Sequence, residues 1–212
     1  IYAEGDDPRV LRAAQIAVDE SLAYPILIGK HDKIARLIKE LNLRLDDGKN
    51  IQIIYPDKFD KIHEFAEQYH QLRAYSGIAP NVAEKHLVRY STLFSLYLLK
   101  NGYGDAMLCG TTSVHAKHMR FVSEIVGLKN TKNIFSTMNA LQLQDRVLFI
   151  ADTYINENPS AEDIAEITQM AAEEIRRFGL EPKVALLSHS NFGSMPSDSS
   201  RKMAKAKKIL WD

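Results

Sequence analysis

At 212 residues, with 45% hydrophobic and 25% charged side chains, the chain is long enough to bury a sizeable core and has an ordinary globular composition. Lys plus Arg and Asp plus Glu number 27 each, so the basic excess that tracks a nucleic-acid backbone is missing. The nearest approach to one, Lys202, Lys205, Lys207 and Lys208, reads as a solvated helix face. No apolar run approaches the roughly 20 residues that span a bilayer, and Ile1-Tyr2-Ala3-Glu4-Gly5 lacks the pattern of a secretory leader.

From the first residues onward, short apolar runs alternate with helical patterns, the mark of an α/β protein with a mostly parallel sheet between helices. Asp6-Asp7-Pro8 predicts a helix start, with an apolar face to about Leu22. Residues 25–29 predict a buried strand, 32–41 a helix, 46–48 a turn and 51–54 a strand. A long polar helix is predicted over 57–75, broken by Gly77 and Pro80, with two further helices near 82–87 and 92–99. A strand over 105–110, a helix over 115–126 and strands over 133–138 and 147–151 follow. Ser160, with Asp163 three residues on, predicts a capped helix to Phe178. A strand over 183–187 and a helix over 198–209 complete the chain. The polar stretch 129–132 is the expected junction, giving a first lobe over 1–128 and a second over 129–212.

In open parallel sheets ligands bind where strands end, which singles out three loops. Gly110-Thr111-Thr112-Ser113-Val114-His115, followed by Arg120, offers hydroxyls and helix N–H groups to an anion, or else a cap from Thr112 or Ser113. Ser188-His189-Ser190-Asn191-Phe192-Gly193-Ser194 is equally rich in donors, but it is neither a P-loop nor a nucleophile elbow. The acids of Glu4-Gly5-Asp6-Asp7 are explained by a helix start rather than a metal. His115 and His118 stand i, i+3 without a third ligand, so no metal site is expected. No Gly-x-Gly-x-x-Gly fingerprint occurs, so NADP binding by this chain is not expected either. The single cysteine, Cys109, cannot close an internal disulfide, which fits a reducing, cytoplasmic setting, and it reads as a buried inert thiol.

Residues 3–14, 25–29, 106–111, 151–154 and 182–194 together resemble the phosphotransacetylases (phosphate acetyl/butaryl transferases), most closely the version fused behind the catalytic domains of bacterial NADP-dependent malic enzymes. The resemblance implies a three-layer α/β/α fold of two lobes with a cleft between them, of the phosphotransacetylase and isocitrate-dehydrogenase-like kind. It implies acetyl-CoA, CoA or another phosphate-containing metabolite as ligand, and self-association to a homodimer or higher oligomer. NADP and Mg or Mn would belong to malic-enzyme domains that lie before Ile1. A family member also continues past Asp212, so the second lobe is expected to be incomplete.

Carried over residue by residue, the resemblance places ligand contacts at Arg73, Thr111, Ser113, His115, Arg120, Ser188, Ser190, Asn191, Gly193 and Ser194. The transferases carry a Ser-Thr pair where this chain has Val114 and His115, and a Lys where it has Phe192. Their Ser-Arg and Asp that deprotonate CoA would fall beyond Asp212. Losing charge-assisted donors, each worth about 1.5–3 kcal/mol, favours binding without turnover. The resemblance therefore implies a non-catalytic, acetyl-CoA-sensing and oligomer-building domain of a malic enzyme, whose full-length protein oxidatively decarboxylates malate to pyruvate. The alternatives are an active phosphate acetyltransferase using Arg73, Arg120 and Ser190, and a purely structural dimerisation domain. No nucleic-acid or membrane partner is expected.

Overall fold

A computed structural model describes residues 1–128, 132–191 and 194–211, and the chain divides into two units, Ile1–Gly127 and Leu128–Asp212.

In the first unit, helix α1 (Pro8–Asp19) starts where Asp7 accepts a hydrogen bond from the Arg9 N–H at 2.8 Å and Pro8 fills the first turn. Strands β1 (Ile26–Ile28) and β2 (Gln52–Ile54) pair in parallel, with Leu27 opposite Ile53. Tyr2 bridges in parallel to Leu27 on one side and Leu108 on the other, so the sheet runs Leu108, Tyr2, β1, β2. The strand expected over 105–110 thus contributes a single bridge. Its neighbour is short, because the chain turns at once through Glu4–Asp7 into α1. Gly5 is needed in that turn: a Cβ there would lie 2.7 Å from the Ile28 nitrogen.

Alternation along these strands builds two cores. Leu27 and Ile51 pack with Leu11, Ala14 and Ile34, from α1 and α2 (His31–Glu40). Ile26, Ile28 and Ile54 face the other way, against Phe65, Leu87, Phe94, Tyr97 and Phe121. These come from α3 (Ile62–Leu72), α4 (Pro80–Arg89), α5 (Ser91–Lys100) and α6 (His115–Ile125). Every residue of α5 from Thr92 to Leu98 is buried, which is what a helix apolar on all sides requires. The long helix expected over 57–75 is interrupted. Pro56–Lys58 forms a 3-10 turn, and Phe59 leaves the helical path to set its ring 5.3–5.6 Å from those of Phe65, Phe94 and Tyr103. A second 3-10 turn, Ala74–Ser76, ends at Gly77 with φ +70°.

In the second unit, β3 (Met138–Gln142) and β4 (Val147–Ala151) form an antiparallel ribbon. The strand expected over 133–138 is displaced to Met138–Gln142, because residues ahead of it are held elsewhere: the Asn133 N–H donates to Glu166 and the Thr137 N–H to Asp152. The stretch 183–187 joins no ladder among the described residues, so its strand pattern goes unused. Helix α7 (Ala161–Arg177) carries the expected cap in full. The Ser160 hydroxyl accepts from the Asp163 N–H, and the Asp163 carboxylate accepts from the Ser160 N–H. Helix α8 (Asp198–Trp211) packs Ala206 and Met203 against Ala161, Ile164 and Leu186.

A polar hub at Asp152 organises the rest of this unit. One carboxylate oxygen accepts from the Thr137 N–H (3.1 Å) and hydroxyl (2.6 Å); the other accepts from the Asn156 N–H (2.7 Å) and side-chain amide (2.5 Å). Burial works to raise its pKa, but these hydrogen bonds outweigh it and hold the carboxyl well below its ordinary value. The α/β class expected from the sequence is what the chain adopts, with the parallel pairing confined, among the described residues, to the first unit. No described helix is long and apolar enough to cross a membrane.

Candidate anion-binding site

Arg73 caps the C-terminus of α3, where a cation complements the helix dipole. Arg120 lies on α6, one turn before Glu124. The structure brings both arginines to the same carboxylate oxygen: Glu124 Oε1 is 3.3 Å from Arg73 Nη1 and 3.7 Å from Arg120 Nε. More positive charge gathers beside them. The Arg120 guanidinium lies 4.7 Å from the centre of the Phe121 ring, which packs against Tyr90, and Lys117 and Arg89 sit 4.4 and 5.5 Å from the Tyr90 ring. Arg73 and Arg120 thus share Glu124, and Arg89 and Lys117 add positive charge around the neighbouring Tyr90 ring, a field that attracts anions.

These charges act on their neighbours. Burial, then Arg120 and Arg89, lower the pKa of His86 and so favour its neutral ring. Burial, then Glu124, raise that of Tyr69, with Arg73 and Arg120 opposing. Among the described residues, Arg73 Nε, Glu124 Oε2, His86 Nδ1 and Tyr97 Oη are buried without a hydrogen-bond partner. A buried polar group without a partner is costly, and Arg73 and Glu124 each carry one such atom.

The loop that enters α6 is fixed from two sides. Its Gly110 N–H donates to Glu4 at 3.1 Å, and the Thr111 carbonyl accepts from Arg9 at 3.1 Å. The Thr112 carbonyl, 2.8 Å from His118 Nε2, only accepts, so Nε2 carries the proton. In the neutral ring Nδ1 then accepts from the Thr92 hydroxyl, also at 2.8 Å. Of the two alternatives for this loop, the cap is not formed: neither Thr112 nor Ser113 caps α6. Ser113 takes a left-handed φ of +71°, and Val114, with no polar side chain, stands at the cap. Exposed His115 opens the helix. Glu4, Arg9, Thr111 and Cys109 border a hollow of about 300 Å³. Burial, then Glu4, push the Cys109 thiol up, which suppresses its thiolate.

In the second loop the hydroxyls are largely spent on the turn itself. Ser188 Oγ accepts from the Ser190 N–H at 3.2 Å, and Ser190 Oγ accepts from the Met195 N–H at 3.0 Å. The Ser194 N–H donates to the Asn191 carbonyl at 3.0 Å. Phe192 and Gly193 lie outside the described residues.

Sequence reasoning missed Glu124, Arg89, Lys117 and the bridging role of His118. Spacing carried part of the signal, since Lys117, Arg120 and Glu124 follow i, i+3 and i+4 steps on one helix face. Among the described residues no three His, Cys, Asp or Glu side chains converge as metal ligands, and the chemistry gathered here suits an anion.

Residues 1–212 match the phosphate acetyl/butaryl transferase family. An NADP-dependent malic enzyme of Haemophilus influenzae is 41% identical over 210 residues, which cover 99% of this chain and 28% of that protein. A phosphate acetyltransferase of Nitratidesulfovibrio vulgaris is 32% identical over 209 residues, 99% of this chain and 29% of that protein. The crystal structure of a phosphotransacetylase from Streptococcus pyogenes superposes with a TM-score of 0.87 at 28% identity, covering 99% of this chain and 63% of that one. The chain thus spans under a third of the length of these two sequence relatives.

Proposed function

This chain belongs to the phosphate acetyl/butaryl transferase family, and from that premise we propose that it binds a phosphate-bearing acyl carrier, acetyl-CoA or CoA, without transferring the acyl group. In the whole protein it serves as the acetyl-CoA-sensing and self-associating part of an NADP-dependent malic enzyme. The observation that carries this reading is the convergence of Arg73 and Arg120 on Glu124, with Arg89 and Lys117 around the neighbouring Tyr90 ring. Guanidinium groups match phosphate oxygens in geometry as well as charge.

Binding without turnover is supported by what surrounds the cations. Acyl transfer to a thiol needs an activated thiol and donors aimed at the developing charge. Val114 stands at the cap of α6 without a hydroxyl, and Ser188 and Ser190 hold their own turn. The 41% identity to a malic enzyme supports the assignment to that kind of protein.

Titration calorimetry of the chain with acetyl-CoA tests the binding. Arg73→Ala and Arg120→Ala should each weaken it by about ten- to a hundredfold, as expected for a lost charge-assisted contact. In the full-length protein acetyl-CoA should change the rate of malate oxidation; no heat of binding together with an insensitive rate would sink the proposal. A second reading, an active phosphate acetyltransferase, is favoured by the 32% identity to one. It requires CoA-dependent loss of acetyl phosphate that Arg120→Ala abolishes.

A further inference from the structure

We propose that Glu124 is a positioning residue: it holds Arg73 and Arg120 from beneath, in the orientation that presents their remaining N–H groups to a phosphate. The inference rests on reading the arginine pair as an anion site and names the group that builds it.

A carboxylate between two arginines can play opposite parts. It can stand in front of them as a resident competitor that an incoming anion must displace, or lie behind them as a brace. Exposure decides between the two. The Glu124 side chain is 14% exposed, that of Arg73 32% and that of Arg120 57%. The acid is the least exposed of the three side chains and Arg120 the most, so a ligand arriving from solvent meets the arginines before the acid.

The donor count agrees. Arg73 approaches Glu124 through Nη1 and Arg120 through Nε. A guanidinium carries five N–H donors in a fixed fork, so each arginine keeps most of them for another acceptor. Arg73 Nε is among the buried atoms without a partner among the described residues.

The placement of Glu124 has no local justification. It is the penultimate residue of α6, where the helix dipole disfavours a carboxylate. Its i, i+4 pair with Arg120 also runs in the weaker order, with the acid C-terminal to the base. One of its oxygens is buried without a partner. What Glu124 does accomplish is to let two like charges from separate helices share one spot, which their mutual repulsion would otherwise oppose.

The test is a double-mutant cycle read by titration calorimetry with CoA, with thermal melts confirming that each variant is folded. Glu124→Gln keeps the shape and removes the charge. It should weaken CoA binding by about tenfold, the loss of one well-placed charge-assisted contact. In an Arg73→Ala background the same change should cost less than about threefold, because the residue acts through the arginine. A purely structural role would leave the two losses equal. If Glu124→Gln melts early, Glu124→Met fills the same volume without charge and enters the same cycle.

Binding that is unchanged or tighter in Glu124→Gln overturns the proposal and makes the acid a competitor, while the anion site itself stands. Equal losses in both backgrounds overturn it too. Absence of CoA binding in the unsubstituted chain instead removes the reading on which it rests.

Discussion

The two units solve the problem of order by different means. The first buries apolar side chains on both faces of a parallel sheet, with Phe65, Phe94 and Tyr97 on one side and Leu11, Leu27 and Ile34 on the other. The second has a slim core around Ala161, Ile164 and Ala206 and leaves Leu141, Leu148 and Ile150 exposed along one face of its ribbon. Its specificity lies in directed hydrogen bonds around Asp152 and at the cap of α7. Apolar burial is roughly proportional to area and tolerant of direction, whereas a half-buried polar hub such as that of Asp152 depends on each partner being in place.

The comparison can be broken most decisively at Phe65. Phe65→Ala, at a fully buried position, should cost about 3–5 kcal/mol in denaturant unfolding; a cost below 1 kcal/mol would mean that the first unit does not depend on its aromatic core. Next comes Asp152→Asn, expected to cost about 1–3 kcal/mol at pH 7, since an amide cannot accept at both ends. The sign of its pH dependence follows from the depressed carboxyl pKa. Stabilisation by Asp152 is complete above the ordinary carboxylate value, about 3.9, and fades as pH falls below it. The gap between the unsubstituted chain and Asp152→Asn should therefore narrow in acid, and a constant gap would show that the charge is immaterial. Ser160→Ala removes one half of the capping box and should cost about 1 kcal/mol, read by urea denaturation. Least of all, Leu148→Ser on the exposed ribbon should change stability by no more than about 0.5 kcal/mol. A larger loss would place Leu148 in a contact that the unit by itself does not make.

What the sequence disclosed follows the same division between local and distant causes. The starts of α1 and α7 were legible because Asp7, Pro8, Ser160 and Asp163 act within a turn of themselves. So was the buried strand β1, whose three residues are all apolar. The patterns over 105–110 and 183–187 look equally strand-like, but a strand exists only by its partner, and pairing is set by residues far away in sequence. Phe59 broke the expected helix for the sake of aromatic neighbours that lie 35 and 44 residues further on, at Phe94 and Tyr103. At the site, the resemblance selected Arg73 and Arg120. Their meeting point, Glu124, required the C-terminal cap of α3 to reach α6 and was hinted at only by its i, i+4 step from Arg120.

The ring of His118 ties the backbone before α6 to the hydroxyl of Thr92, on the most deeply buried helix of the first unit. With both nitrogens engaged, it works as a strut under compression and tension alike: the 110–114 segment cannot shift without either surrendering a hydrogen bond or tugging at α5. The position of the Thr112 carbonyl is thereby coupled to the buried helix that carries Phe94 and Tyr97.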